Sequence, residues 1–185
     1  MSFLTLGSLS AVPVSTRPDL VAPAVAAALA AAGLADEVGV AEIDPAVSDT
    51  AATEAAYGVP ASALVNCVIV GGQRSGVDKV AALLVPSTLR ADVNNVVRRH
   101  LDVRKLSFLP RDEAVTATGM EFGGITAIGL PSDWAILVDP TPLDEPVVII
   151  GSGVRASKLL LPGSLLARLP RAEILPGLGR EVAAS

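Results

Sequence analysis

Apolar and polar positions along the chain fall into short segments of two periods, separated by Gly and Pro. Residues 1–16 mix Ser, Thr and Pro with apolar residues without a clear period, which fits a loose arm or an edge strand. Leu20–Ala32 is rich in Ala, the best helix former; Thr16 and Pro18 precede it and Gly33 follows, so the spacing predicts a helix. Val38–Ile43 alternates weakly and predicts a strand ended by Asp44-Pro45. Ser48 or Thr50 is placed to cap a short helix through Thr53–Ala56 that stops at Gly58. Leu64–Val70 is a continuous β-branched run, hence a buried strand; Gly71–Gly76 reads as a turn and Lys79–Val85 as the returning strand of a hairpin.

Further on, Asp92 opens a helix whose apolar face is Val93, Val96, Val97 and Leu101 and whose polar face displays Asn94, Asn95, Arg98 and Arg99. A short strand follows at Leu106–Leu109, then a helix at Arg111–Ala117 terminated by Gly119. Ala135–Val138, Val147–Ile150 and Lys158–Leu161 are strand-like, and Leu165–Leu169 reads as a short helix after Pro162-Gly163-Ser164. The tail from Pro170 gives little signal. Strands outnumber long helices and hairpins outnumber βαβ units, so the expected class is α/β (α+β): one domain with a mixed, largely antiparallel sheet flanked by helices.

Composition narrows the class. The 185 residues are 51% hydrophobic but only 3% aromatic, so Ala, Val, Leu and Ile must build the core. The longest apolar stretch, Leu20–Ala32, falls short of the roughly 20 residues that span a bilayer and contains Pro23. No basic residue precedes Arg17, as a signal peptide would require, and Cys67 is the single cysteine. The expectation is a cytoplasmic protein with no membrane partner. One histidine and one cysteine argue against a structural zinc site, and neither a metal nor a cofactor is expected. The net charge of −5 excludes a general nucleic-acid coat, yet Arg90, Arg98, Arg99, Arg104, Lys105 and Arg111 crowd into one stretch. That stretch fits either a local phosphate contact or a solvated helix face.

Chemistry concentrates in glycine. Thr118–Pro131, TGMEFGGITAIGLP, has four glycines and one charge, Glu121. Glycine admits positive φ and close backbone approach, so this segment suggests main-chain N–H groups lining a pocket; on spacing alone a bulged strand entering a turn is the plainer reading. Gly151-Ser152-Gly153-Val154-Arg155-Ala156 matches the dinucleotide pattern G-x-G-x-x-G/A, but the next residues read as a strand rather than the helix that pattern needs. His100 sits among charges and Cys67 inside a β-branched run, so no nucleophile–base pair is apparent. Asp112-Glu113 and Asp144-Glu145 lie at helix-start and turn signals, where carboxylates serve capping and solvation.

Taken in order, the glycine-framed segments resemble the YbaK-type family of aminoacyl-tRNA deacylases, which includes the editing domain inserted in bacterial prolyl-tRNA synthetases. The resemblance runs through Ser48-Asp49-Thr50-Ala51-Ala52, Tyr57-Gly58-Val59-Pro60, the Leu64–Val70 strand and its return at Val80–Val85. It continues at Asp92-Val93-Asn94, Gly123–Gly129, Gly151–Arg155 and Leu165-Leu166, which is some two-thirds of the chain. It implies a partial barrel or mixed sheet over 46–170, with 1–45 a less typical N-terminal helix and strand.

The implied activity is hydrolysis, in trans, of an amino acid wrongly esterified to a tRNA acceptor end, without a protein nucleophile. Asn66, Gly124 and Thr126 are the implied catalytic positions. Tyr57, Gly123, Ile125, Ala127, Gly129, Gly151, Ser152, Gly153 and Arg155 are the implied substrate-binding ones, and Arg90, Arg98, Arg99 and Lys105 are weaker tRNA contacts. The chain departs from the pattern at Asn66, where the family carries lysine, at Ala127 for proline, and at Gly151 for serine. Asparagine hydrogen-bonds but carries no charge, and Lys79 on the paired strand is a candidate substitute. A non-catalytic protein that binds tRNA or a nucleotide ester, and a small-molecule-binding or structural protein, remain open as alternatives, as does a homo-oligomer.

Overall fold

The computed structural model describes residues 3–181. Twelve strands form two five-stranded sheets and a two-stranded ribbon. In the first sheet the order is β1 (Leu4–Leu6), β2 (Leu9–Pro13), β3 (Gly39–Glu42), β10 (Ser157–Leu161), β9 (Val148–Gly151), all antiparallel. In the second it is β11 (Ala172–Ile174), β8 (Ala135–Val138), β5 (Val77–Pro86), β4 (Val65–Arg74), β7 (Leu106–Phe108). Here β8 runs parallel to both β5 and β11, and the other pairs are antiparallel. A bridge between Leu64 and Ile149 brings the sheets together at one corner, closing part of a barrel. The mixed, largely antiparallel class expected from the sequence is the one observed.

Apolar chemistry fixes this layering. Val40, Leu159 and Leu161 of the first sheet meet Ile69, Ala82, Leu84 and Ile136 of the second across a common core. Helix α1 (Pro23–Ala31) closes that core with Val25 and Leu29. Each fully buried leucine stabilises the fold by about 1.5–3 kcal/mol. Leu159, Leu160 and Leu161 are all fully buried, because β10 is an interior strand covered on both faces. Its outer face, through Leu160, packs with Ile149, Leu64 and Val59 beneath the end of helix α2 (Thr50–Tyr57). The outer face of the second sheet is covered by Val93, Val97 and Leu101, from a π-helical turn at Val93–Val97 that runs into α3 (Arg98–His100).

Several sequence expectations need correction. α1 starts at Pro23, not Leu20, because proline's fixed φ and missing N–H suit the first turn. Gly71 and Gly72 do not turn: β4 continues to Arg74, and the turn is Ser75-Gly76, both with positive φ. At Gly72 a Cβ would lie 2.3 Å from Lys105 O, so this glycine admits the backbone leading into β7. The N-terminal arm is a hairpin whose second strand pairs with β3. The tail holds β11 and β12 (Gly179–Glu181), the latter paired with β6 (Leu89–Ala91). The expected helix at Leu165–Leu169 is instead the end of a 3-10 segment, Gly163–Arg168, with Leu169 just beyond it. Helix α4 (Arg111–Thr118) ends at Gly119 (φ +66°), as its sequence implies.

Candidate active site

A cavity of about 660 Å³ opens at the corner where the two sheets touch. Its apolar wall comes from β4 (Val65, Ile69), from Ile149 and Ile150 of β9, and from Ile125 of the glycine segment. Its polar side chains come from four places: Asn66 on β4, Lys158 on β10, Ser48–Thr50 at the start of α2, and Arg111 at the start of α4. The Thr50 hydroxyl donates to Asn66 Oδ1 at 2.7 Å, which commits the amide oxygen and leaves the nitrogen as donor for a ligand. Lys158 Nζ donates to Ser48 O at 2.7 Å. Ser48 is buried and its Oγ has no hydrogen-bond partner among the described residues.

Two exposed aromatics, Phe108 and Phe122, belong to the cavity's rim. The Arg111 guanidinium stacks over the Phe122 ring, 4.6 Å from its centroid. Cys67 also lines the cavity, but burial pushes its thiol up to about 12, which leaves it protonated and weakly nucleophilic at neutral pH. His100 is not among the lining residues; its Nε2 lies 3.2 Å from Glu173 Oε2.

Of the residues singled out in the sequence, Asn66, Gly123, Ile125 and Gly151 meet at this cavity. Gly124 does not line it. Its N–H donates to Glu121 O (2.9 Å) and its carbonyl accepts from Gly153 N (2.7 Å), so both groups hold the loop together. A Cβ at Gly124 would lie 2.5 Å from Val154 O, and one at Gly151 would lie 2.5 Å from Gly124 O. Glycine here permits two loops to pack backbone on backbone. Thr126 and Ala127 are buried outside the cavity, and Gly129 packs on Ala24 O. Ser152 is fully buried and bonded to Ser157. Tyr57 braces the fold: its hydroxyl accepts from Asp44 N at 2.9 Å.

Arg155 lies at the rim rather than in the cavity. It donates to Pro45 O (3.1 Å), approaches Asp49 (3.6 Å) and occupies the space a Cβ at Gly123 would need. Lys79 is exposed opposite Gly72 on β5 and does not reach the cavity. Arg90 lines a second groove of about 750 Å³ with Arg180, and this groove shares Asn66, Val68 and Phe108 with the first. Arg98, Arg99 and Lys105 lie outside both, and Arg98 Nε is bonded to Asn94 O.

Lys158 and the two rim phenylalanines were not expected at the site from the sequence, and Ser48 was expected only as a helix cap and at the head of the family resemblance. Lys158 was readable only as the one charge opening an apolar strand, and exposed Phe108 as an aromatic on an edge strand.

Comparison with known proteins places this geometry. Residues 44–169 match the aminoacyl-tRNA editing domain. Two solved structures share the fold: hypothetical protein APE2540 at 22% identity, TM-score 0.74, covering 85% of this chain and 99% of that one; and a protein proposed as a trans-editing enzyme for prolyl tRNA synthetase at 20% identity, TM-score 0.73, covering 87% and 99%. No curated protein is significantly similar to the chain in sequence. The matched span supplies every wall of the cavity, from Ser48 to Lys158, and the chain belongs to the aminoacyl-tRNA editing-domain family.

Proposed function

We propose that this chain hydrolyses, in trans and in the cytoplasm, the ester that joins a small apolar amino acid to the acceptor end of a mischarged tRNA. The observation that carries the proposal is the cavity itself. Its volume suits a nucleoside-ester-sized ligand, its wall is aliphatic, and its side-chain donors are Asn66, the Ser48–Lys158 side and Arg111 beside Phe122. The apolar wall takes the amino-acid side chain, and the polar groups take the ester and ribose. Phe108 and Phe122 at the rim offer stacking faces for the terminal bases, and Arg90 and Arg180 in the adjoining groove offer charge for phosphates.

Water supplies the nucleophile. It adds to the ester carbonyl carbon, the carbon–ribose oxygen bond breaks, the ribose oxygen takes a proton, and the amino acid leaves as its carboxylate. Gly124 and Gly153 spend their N–H groups on the loop, so neither donates to the oxyanion, and the side-chain donors lining the cavity are available for that role. That same engagement of main-chain donors favours one other reading, a protein that binds the esterified end without cleaving it. A panel of mischarged tRNAs decides between them: hydrolysis of at least one tRNA carrying a small amino acid is the expected result. Salt-sensitive binding with no hydrolysis of any would replace the deacylase by the binder.

A further inference from the structure

Lys158 is the cavity's least accommodated group. It is 9% exposed, and the three residues after it are fully buried leucines. Its Nζ has three protons, and one is committed, to Ser48 O. Among the described residues it makes no ion pair: Asp49, whose charge favours the ammonium, is mostly exposed and sits beside Arg155 instead. Burial pulls the lysine's pKa below its ordinary value, Asp49 opposes that shift, and Arg155 adds to it. A charge buried among aliphatic residues without a counter-ion costs stability. A strut for the Ser48 carbonyl would need only a neutral donor. The cavity therefore presents an unpaired cation, and an anion placed there would relieve its desolvation.

We propose that Lys158 is a catalytic residue: its ammonium faces the ester from β10, on the sheet opposite Asn66, and holds the oxyanion formed when water adds to the carbonyl. In that step the water oxygen–carbon bond forms and the carbonyl π pair moves onto oxygen, where the Nζ–H groups receive it. The pair returns as the ribose oxygen departs with a proton. The inference rests on the deacylase reading for its substrate, and it assigns to β10 a charge that β4 lacks.

The test uses the full chain and Lys158→Met, which keeps length and removes charge. Single-turnover hydrolysis of the best mischarged tRNA is read beside the melting temperature and the affinity for an adenosine 3′-aminoalkylphosphonate, an uncleavable anionic mimic of the adduct. The expected result is a loss of about 100-fold or more in hydrolysis and in phosphonate affinity, with the melting temperature unchanged or raised. Wild-type phosphonate binding weakens as pH rises through the lysine's lowered pKa, and the variant's is flat. Lys158→Gln, which retains a donor for Ser48 O, repeats the test should the methionine variant fold poorly.

Hydrolysis and phosphonate affinity equal to wild type in a folded variant overturn the inference. Where the wild type cleaves no tRNA, the deacylase reading fails by itself. Phosphonate binding that depends on Lys158 then still supports the cationic site, and a wild type that does not bind it overturns the site too.

Discussion

Lys158 and Asn66 approach the same three-residue segment from different sheets. Lys158 Nζ donates to Ser48 O and Asn66 Oδ1 accepts from Thr50 Oγ1, each at 2.7 Å. The start of α2 is thereby tied to β10 on one side and to β4 on the other. Replacing Thr50 by valine keeps the shape and deletes the donor that orients the Asn66 amide. The expected outcome is a stability loss of about 1 kcal/mol by chemical denaturation, with roughly a tenfold fall in single-turnover hydrolysis as Asn66 loses its orientation. Hydrolysis unchanged at that stability loss would separate Asn66 from the reaction.

Glycines in the TGMEFGGITAIGLP segment differ in what they tolerate. At Gly124 a Cβ collides with Val154 backbone atoms at 2.5–2.9 Å, whereas at Gly119 it meets nothing within 4 Å and only the positive φ resists. Gly119→Ala is expected to cost about 1 kcal/mol. Gly124→Ala is expected to cost more, about 1–3 kcal/mol, because two loops must separate. Melting curves of the pair check the ranking; a Gly124 variant as stable as the Gly119 variant would contradict the packing.

Two groups in the cavity give stability opposite pH slopes. Lys158 has a native pKa below 10.5, so as pH rises the native state releases its proton before the unfolded chain does. Between the native value and 10.5 the unfolded state holds more protons, and stability rises with pH; below that window the full burial cost is present. Cys67, raised from 9.0 to about 12, does the reverse, and its contribution is lost as pH climbs above 9.0. In a Cys67→Ala background, the melting temperature is expected to rise with pH through the lysine window, and Lys158→Met is expected to abolish the rise.

The same Cys67 shift predicts chemical inertness. At pH 7.5 the native thiol is expected to react with maleimide far more slowly than a free cysteine, and Cys67→Ala to retain hydrolysis. Rapid labelling of the folded protein, read by intact mass, would contradict it.

Phe108 is 66% exposed on an edge strand and borders both grooves. Its truncation to alanine is expected to weaken tRNA binding by about 1–3 kcal/mol with little change in melting temperature. An unchanged KM would remove the stacking role.

Local chemistry made some elements readable and hid others. Gly58 and Gly119 each sit left-handed just beyond a helix, so the ends of α2 and α4 could be read directly. The β4–β5 hairpin was visible from its apolar runs, but Gly71-Gly72 mimics a turn, and only the passage of the Lys105 backbone explains those glycines. β11 and β12 are three residues each and owe their existence to partners far away in sequence. Asn66, Gly123, Ile125 and Gly151 share one cavity, while Thr126, Ala127 and Gly129 turn away, because the segment dives into the core after Ile125. Lys158 was hidden because its position depends on β10 pairing with both β3 and β9, which no local pattern records.

That pairing has a practical consequence for anyone trimming the protein. β3, Gly39–Glu42, lies outside the span that matches the editing domain, yet it sits between β2 and β10 in the middle of its sheet. A fragment cut at residue 44 would present β10, with Leu159, Leu160 and Leu161, as a bare apolar edge with unpaired peptide groups. Such an edge recruits strands from other molecules. Strands β2 and β3 thus shield the edge of the lysine-bearing strand, and the span matched to the editing domain is expected to aggregate when cut out alone.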